Sequence, residues 1–279
     1  MDKDISNLLD EWPFVPGQIS VRLIEGKDHE PRVQVRLDLG FLQMKLDGRP
    51  DGQRPHECDS YLEYHEAQLT QMLGQGAAPD PGNEQAGNEQ PESEQPEFDL
   101  SEDDESEELD RFLDSDECRH LREEAQQYYH RYIALLVLED FESVARDTSR
   151  NLRVLDLFRD YAIDEEDRVA MEGHRPYVMM MRARALASHA LKYEENKVAI
   201  HAIDEGIEAL KLYYQSTGQE DLFDEAGEVD MLREMRDGLI PKLPVSQRAE
   251  LRQRMEAAIV SENFELAAIL RDELRMMGK

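Results

Sequence analysis

Residues 74–108 set the limits on what this chain can fold into. Gly, Pro, Glu, Gln and Asn dominate the stretch, and Asn83-Glu84-Gln85 is echoed by Asn88-Glu89-Gln90. It ends in Ser101-Glu102-Asp103-Asp104-Glu105-Ser106-Glu107-Glu108, and no Lys or Arg stands between Arg54 and Arg111. Such a composition offers too little apolar surface to offset the entropy of ordering the backbone. The expected organisation is therefore two folding parts joined by an acidic disordered linker. The linker reads as a solvated spacer more than as a mimic of nucleic acid.

The charge balance narrows the function classes. The chain has 63 acidic and 32 basic residues, a formal net charge of -31. Direct nucleic-acid binding needs a basic face to meet phosphates, so none is expected. A mean hydropathy of -0.71 and the lack of a long apolar run argue against a membrane span. The opening Met1-Asp2-Lys3-Asp4-Ile5-Ser6 has no basic stretch followed by an apolar one, so no signal peptide is read. Cys58 and Cys118 are far apart and form no CxxC pair, which fits a reduced, cytoplasmic setting.

Residues 1–73 hold the strand signals. Gln18–Ile24 and Arg32–Leu39 alternate polar and apolar residues, with Val33, Val35 and Leu37 on one face. Phe41–Leu46 can form a third strand, Asp47-Gly48-Arg49-Pro50-Asp51-Gly52 is a turn, and Ser60–Met72 reads as a helix. A three-stranded antiparallel sheet with one covering helix is expected.

Residues 109–243 read as helical throughout. Two hairpins are expected, one over Tyr128–Phe158 and one over Pro176–Leu210, with Asp140-Phe141-Glu142 matching Lys192-Tyr193-Glu194 at their turns. Tyr161–Arg175 would be an insertion or an extra helix, and a helix over Glu228–Leu239 leads onward. Arg146, Arg150 and Arg153 fall at i, i+4 and i+7 on one helix face. That stripe reads either as an anion or acidic-peptide site or as a solvated face paired with Asp147 and Asp156. Met179-Met180-Met181 reads as helix core more readily than as an adaptable contact surface. The chain has no Gly-rich phosphate loop, no GxSxG and no HExxH. Cys118 with His120, and Cys58 with His56, are too scattered for a structural zinc site. Neither a catalytic residue, a metal nor a cofactor is expected, and the chain does not read as an enzyme.

Residues 244–279 read as a helical hairpin. Pro244 ends what precedes it, Ser246 can cap a helix, and Leu251, Met255, Ala258 and Ile259 recur at helical spacing. Ser261-Glu262-Asn263 breaks the pattern before Phe264, Ala267, Ala268, Leu270 and Leu274. So small a hairpin cannot bury much apolar surface alone.

The run Phe264-Glu265-x-Ala267-Ala268-x-x-Arg271-Asp272 after a leucine-led helix resembles the UVR motif, named for the bacterial excision-nuclease subunits UvrB and UvrC. The paired hairpins of 109–243 resemble tetratricopeptide (TPR) helices, although the Trp-Leu-Gly signature is missing and the spacing exceeds the usual repeat. The whole order is similar to UVR-motif proteins of planctomycete type. Arg36–Met44, Asp47–Gly52 and Arg146–Asp156 carry that impression. UVR-bearing activators of the arginine-kinase and Clp protease system carry CxxC pairs that this chain lacks.

The resemblance implies a non-catalytic docking module. Phe264, Glu265, Ala267, Ala268, Arg271 and Asp272 would contact a protein partner, either another UVR-motif protein or a second copy. The expected class is α+β: a small N-terminal antiparallel β domain (1–73), the acidic linker (74–108), a TPR-like helical domain (109–243) and a UVR hairpin (244–279). The expected role is a cytoplasmic adaptor. The alternatives are an accessory factor of nucleotide excision repair that binds UvrB or UvrC, and an enzyme with its site in the β domain.

Overall fold

The computed structural model describes residues 4–75 and 112–239, together with Met255 and Arg271. The linker, apart from the end of the helix entering it, and the terminal hairpin, apart from those two residues, lie outside the described residues. The architecture is α+β, with one small antiparallel sheet and mainly helical content.

Strands β1 (Val21–Glu25), β2 (Pro31–Arg36) and β3 (Phe41–Lys45) form an antiparallel sheet in the order β1-β2-β3. The register sets Leu23 against Val33, Val21 against Val35, and Val33 against Met44. Side chains alternate across a strand, so Val33 and Val35 share the inner face with Met44. The other face carries a polar ladder. Arg22 Nε donates to Gln34 Oε1 at 2.8 Å, and Gln34 Nε2 donates to Gln43 Oε1 at 2.8 Å. The Trp12 ring covers the Arg22 guanidinium at 4.1 Å. A short helix, α1 (Ser6–Glu11), precedes the sheet and is missing from the sequence reading. It buries no side chain and shows no apolar period to detect.

Helix α2 (Tyr61–Gln75) starts where Ser60 can cap it, and Glu63 N donates to Ser60 Oγ at 3.1 Å. The helical part then runs α3 (Ser115–Val137), α4 (Phe141–Tyr161), α5 (Glu165–Glu172), α6 (Arg175–Lys192), α7 (Asn196–Ser216) and α8 (Gly227–Leu239). Asp114 and Glu117 form a reciprocal capping box at the start of α3, and Pro176 occupies the first turn of α6. Helix α5 fills the interval between the two hairpins.

The hairpin turns are the same device used twice. Glu139 and Glu194 take left-handed conformations, with φ of 57° and 61°. The next amide reaches back to the helix end: Asp140 N to Leu135 O at 3.0 Å, and Glu195 N to Ala190 O at 2.9 Å. This is the Schellman arrangement. It pairs Glu139 with Glu194, which shifts the expected match of Asp140-Phe141-Glu142 with Lys192-Tyr193-Glu194 by three positions. The left-handed residue fixes the turn, and both times it is Glu instead of the glycine that would have marked it.

Two apolar cores run through the helices. One joins Tyr132, Val144, Met181, Ile203 and Leu232 from α3, α4, α6, α7 and α8. The other joins Leu62 of α2 to Leu121, Phe158, Met171 and Val178. Met180 and Met181 are buried, so the methionine run is core, as expected. Val33 and Met44 of the sheet pack on Ala134 of α3. The N-terminal part therefore sits directly on the helices. Among the described residues no helix is long and apolar enough to cross a membrane.

Candidate functional site

The arginine stripe lies on α4 as its spacing dictates, and its donors point at carboxylates of the chain itself. Arg146 Nη1 donates to Asp47 Oδ1 at 3.0 Å, its Nη2 to Leu46 O at 2.8 Å, and its Nε to Asp147 Oδ1 at 3.1 Å. Arg153 Nε donates to Glu66 Oε1 of α2 at 2.8 Å, and its Nη2 bonds the other oxygen. Arg150 is buried against Glu124, and its guanidinium lies 4.0 Å from the Tyr128 ring centroid. Burial pulls that guanidinium down to about 9, so it remains charged at neutral pH. The stripe clamps the N-terminal part onto the helices.

Two groups that the sequence reading passed over, Arg131 and Glu124, complete this clamp together with Asp147. Arg131 and Asp147, each 1% exposed, pair through Nε–Oδ2 at 2.7 Å and Nη2–Oδ1 at 2.8 Å. Arg131 Nη1 also donates to Lys45 O and Gly48 O at 3.1 and 2.7 Å. Glu124 accepts from the amides of Tyr61 and Leu62 at 2.9 and 3.3 Å. A buried carboxylate thus caps the first turn of α2, where the helix end favours negative charge. Arg49 Nε lies 3.4 Å from the same carboxylate. Gln127 Nε2 donates to Asp51 Oδ2 at 3.1 Å. The phrases Asp47–Gly52 and Arg146–Asp156 therefore face each other across one interface. A signal for this existed in α3: Leu121, Glu124, Tyr128, Arg131 and Leu135 recur at three- and four-residue spacing, so two charges interrupt an apolar stripe.

A ring cluster adjoins the clamp. His56 stacks on Tyr64 at 4.2 Å, and Tyr61 stacks on His120 at 4.9 Å. These contacts, and the burial of Cys118, show where the scattered Cys and His residues go. Burial pushes the Cys118 thiol up to about 12, so it stays protonated and unreactive at neutral pH. His65 is buried 6.0 Å from the Phe112 ring. Burial lowers its pKa, and nearby Glu117 opposes that only in part. The unfolded chain therefore binds a proton that the folded chain resists. Stability is fully present above the unfolded value of about 6.5 and is lost as pH falls from there through the lower folded value. His130, also lowered by burial, acts in the same direction. The urea midpoint should drop between about pH 7.5 and about pH 5.5. The drop should shrink in His65→Gln, and an unchanged slope would remove His65 from the account.

A cleft of about 550 Å³ opens between α3, α4 and α6. Ala125, Leu155, Met171 and Val178 line its apolar part, and Tyr129 and Tyr177 also line it, their rings in tilted contact with centroids 6.4 Å apart. Arg122 stands at its side, with Nη1 held by Asp167 at 2.6 Å, and His174 lies at the α5–α6 corner. No metal-holding group of three or more His, Cys, Asp or Glu occurs among the described residues.

Of the expected docking residues, Arg271 is helical and exposed. Phe264, Glu265, Ala267, Ala268 and Asp272 lie outside the described residues. Comparison with known proteins bears on this segment. No curated protein and no solved structure matches the chain. Residues 246–279 match the UVR family model, the UvrB/uvrC motif, so the chain carries a module of that kind at residues 246–279.

Proposed function

We propose that the protein is a non-catalytic adaptor that docks a protein partner through residues 246–279. The match of that segment to the UvrB/uvrC motif carries the reading. The paired hairpins α3–α4 and α6–α7, with identical left-handed turns, supply a TPR-like body on which the hairpin is displayed. A net charge of -31 favours a protein partner over nucleic acid. The two free cysteines, of which Cys118 is buried and Cys58 partly exposed, support a cytoplasmic setting.

In this reading Phe264 is the anchor, with Glu265 and Arg271 orienting the partner at the rim and Ala267, Ala268 and Asp272 shaping the seam. Rigid aromatic anchors dominate interface energetics, and truncating one often costs about 2 kcal/mol or more. Affinity capture from native lysate should recover a partner with the full chain and lose it when residues 245–279 are removed. Phe264→Ala should weaken capture about 30-fold at unchanged helicity and melting temperature. Equal capture by the truncated chain would end the docking assignment. Loss of stability with retained capture would make Phe264 core.

A second reading has one observation in its favour, the identity of the matched motif. Hairpin-to-hairpin pairing with UvrB or UvrC would make the protein an accessory factor of nucleotide excision repair. Purified UvrB and UvrC tested against the full chain separate this reading from a general adaptor.

A further inference from the structure

The proposed docking through residues 246–279 calls on no residue of the cleft between α3, α4 and α6. We propose that it is filled in cis by the chain's own Glu97-Phe98-Asp99-Leu100, a segment outside the described residues.

The sequence of the tract supplies the first reason. Phe98 and Leu100 are the only large apolar side chains between Gly76 and Glu108. Residues two apart in an extended peptide point to the same side, about 6.6 Å from one another. Phe98 and Leu100 would thus enter the apolar part of the cleft together, against Ala125, Leu155, Met171 and Val178 and beside the Tyr129–Tyr177 ring pair. The cleft volume of about 550 Å³ suits two such side chains.

Charge supplies the second. In a chain with 63 acidic residues, no carboxylate lines this cleft among the described residues, and Arg122 is the one charged residue among them that does. The Arg122 side chain is 37% exposed, and the hydrogen bond to Asp167 uses Nη1 alone. Glu97 and Asp99 flank the apolar pair and match that guanidinium. A free acidic peptide approaches a body of net charge -31 against repulsion, whereas a tethered one is already present.

Reach supplies the third. Leu100 precedes Phe112 by twelve residues, which span up to about 40 Å when extended. The cleft residues Arg122 to Tyr129 lie on α3, the helix that starts at Ser115. Arg122 is about 10 Å along the axis from that start. A tether of this length gives a local concentration in the millimolar range, so weak intrinsic affinity is enough.

Hydrogen exchange of the full chain tests the proposal. In wild type, the amides of residues 97–101 should exchange at least about tenfold more slowly than in a free synthetic peptide of residues 92–104. Ala125→Trp, which fills the cleft, should abolish that protection at unchanged helicity, and Tyr177→Ala should reduce it. The labelled 92–104 peptide should bind the Phe98→Ser/Leu100→Ser variant at least about tenfold more tightly than wild type, whose cleft is already occupied. Exchange at the free-peptide rate in wild type overturns the proposal, as does equal peptide binding to both proteins or binding to neither. Protection that disappears on dilution also overturns the cis arrangement and assigns the segment to a second copy. None of these outcomes touches the hairpin's partner, so docking through residues 246–279 stands or falls separately.

Discussion

Asp147→Ala should cost about 3–5 kcal/mol of unfolding free energy, the largest loss expected from a single polar substitution in this protein. Asp147 and Arg131 are each 1% exposed and share two hydrogen bonds. Removing the carboxylate leaves a buried guanidinium with the Lys45 and Gly48 carbonyls and the Tyr128 ring, but without a counter-charge. It also removes one contact of Arg146, which holds Asp47 of the opposing loop. The damage should spread to the sheet, because Arg131 ties the β3 end to α3. Trp12, the one tryptophan, reports on the sheet by fluorescence. Urea unfolding followed by Trp12 and by helicity should show both transitions shifted in Asp147→Ala. The double variant Arg131→Met/Asp147→Leu should recover most of the loss, since apolar replacement of a buried pair is often neutral or stabilising. A single-variant loss below about 1 kcal/mol would mean that the pair is not the anchor of this interface.

The same interface shows what could and could not be read beforehand. Local periodicity was legible: Val33 and Val35 marked the inner face of the sheet, and Ser60 marked the start of α2. The Arg146, Arg150 and Arg153 spacing placed all three on one face of α4. Of their partners, the adjacent Asp147 was legible, but Asp47, Glu66 and Glu124 were not, because they lie 99, 87 and 26 residues away in the chain. Pairing at such separation is decided by packing, not by local pattern. The acidic tract read as a spacer between two units, yet the units on either side share buried charge and apolar core. Glu124 shows why: a carboxylate on an apolar helix stripe reads as a misfit until the α2 amides that need it are in view. The three-residue shift at the hairpin turns has a similar cause. Glu139 and Glu194 occupy a conformation for which sequence reasoning expects Gly or Asn.

Clamp and hairpin occupy different parts of the chain, and this bears on the adaptor reading. The clamp uses one end of the helical body, through α2, α3 and α4, while the matched segment continues from α8. Val229, Leu232 and Leu239 of α8 are buried in the core shared by α6 and α7. A partner held by residues 246–279 would therefore pull on a helix already seated among α6 and α7. The tightness of that seat decides whether the display is rigid.

Gly206→Leu should loosen that seat by about 3 kcal/mol, at the upper end of the usual cost of overpacking. Gly206 lies within α7, where glycine is about 1 kcal/mol worse than alanine for the helix alone. Propensity therefore argues for replacing it, and close packing argues against. A Cβ at this position would stand 2.4 Å from Ala183 Cβ of α6 and 3.3 Å from Leu232 Cδ1 of α8. Ala183 is nearly fully buried and its methyl cannot turn aside, so α6 and α7 must separate. Gly206→Ala sets the two effects against each other, and its net loss should be about 1–2 kcal/mol. Exchanging the small residues, as Ala183→Gly with Gly206→Ala, restores one methyl at the crossing. The pair should be more stable than the sum of the single losses predicts, by about 1 kcal/mol. Melting curves of the wild type, both singles and the double complete the cycle. Additive losses would show that the methyls do not meet, and that the glycine is present for some reason other than the approach of α6 to α7.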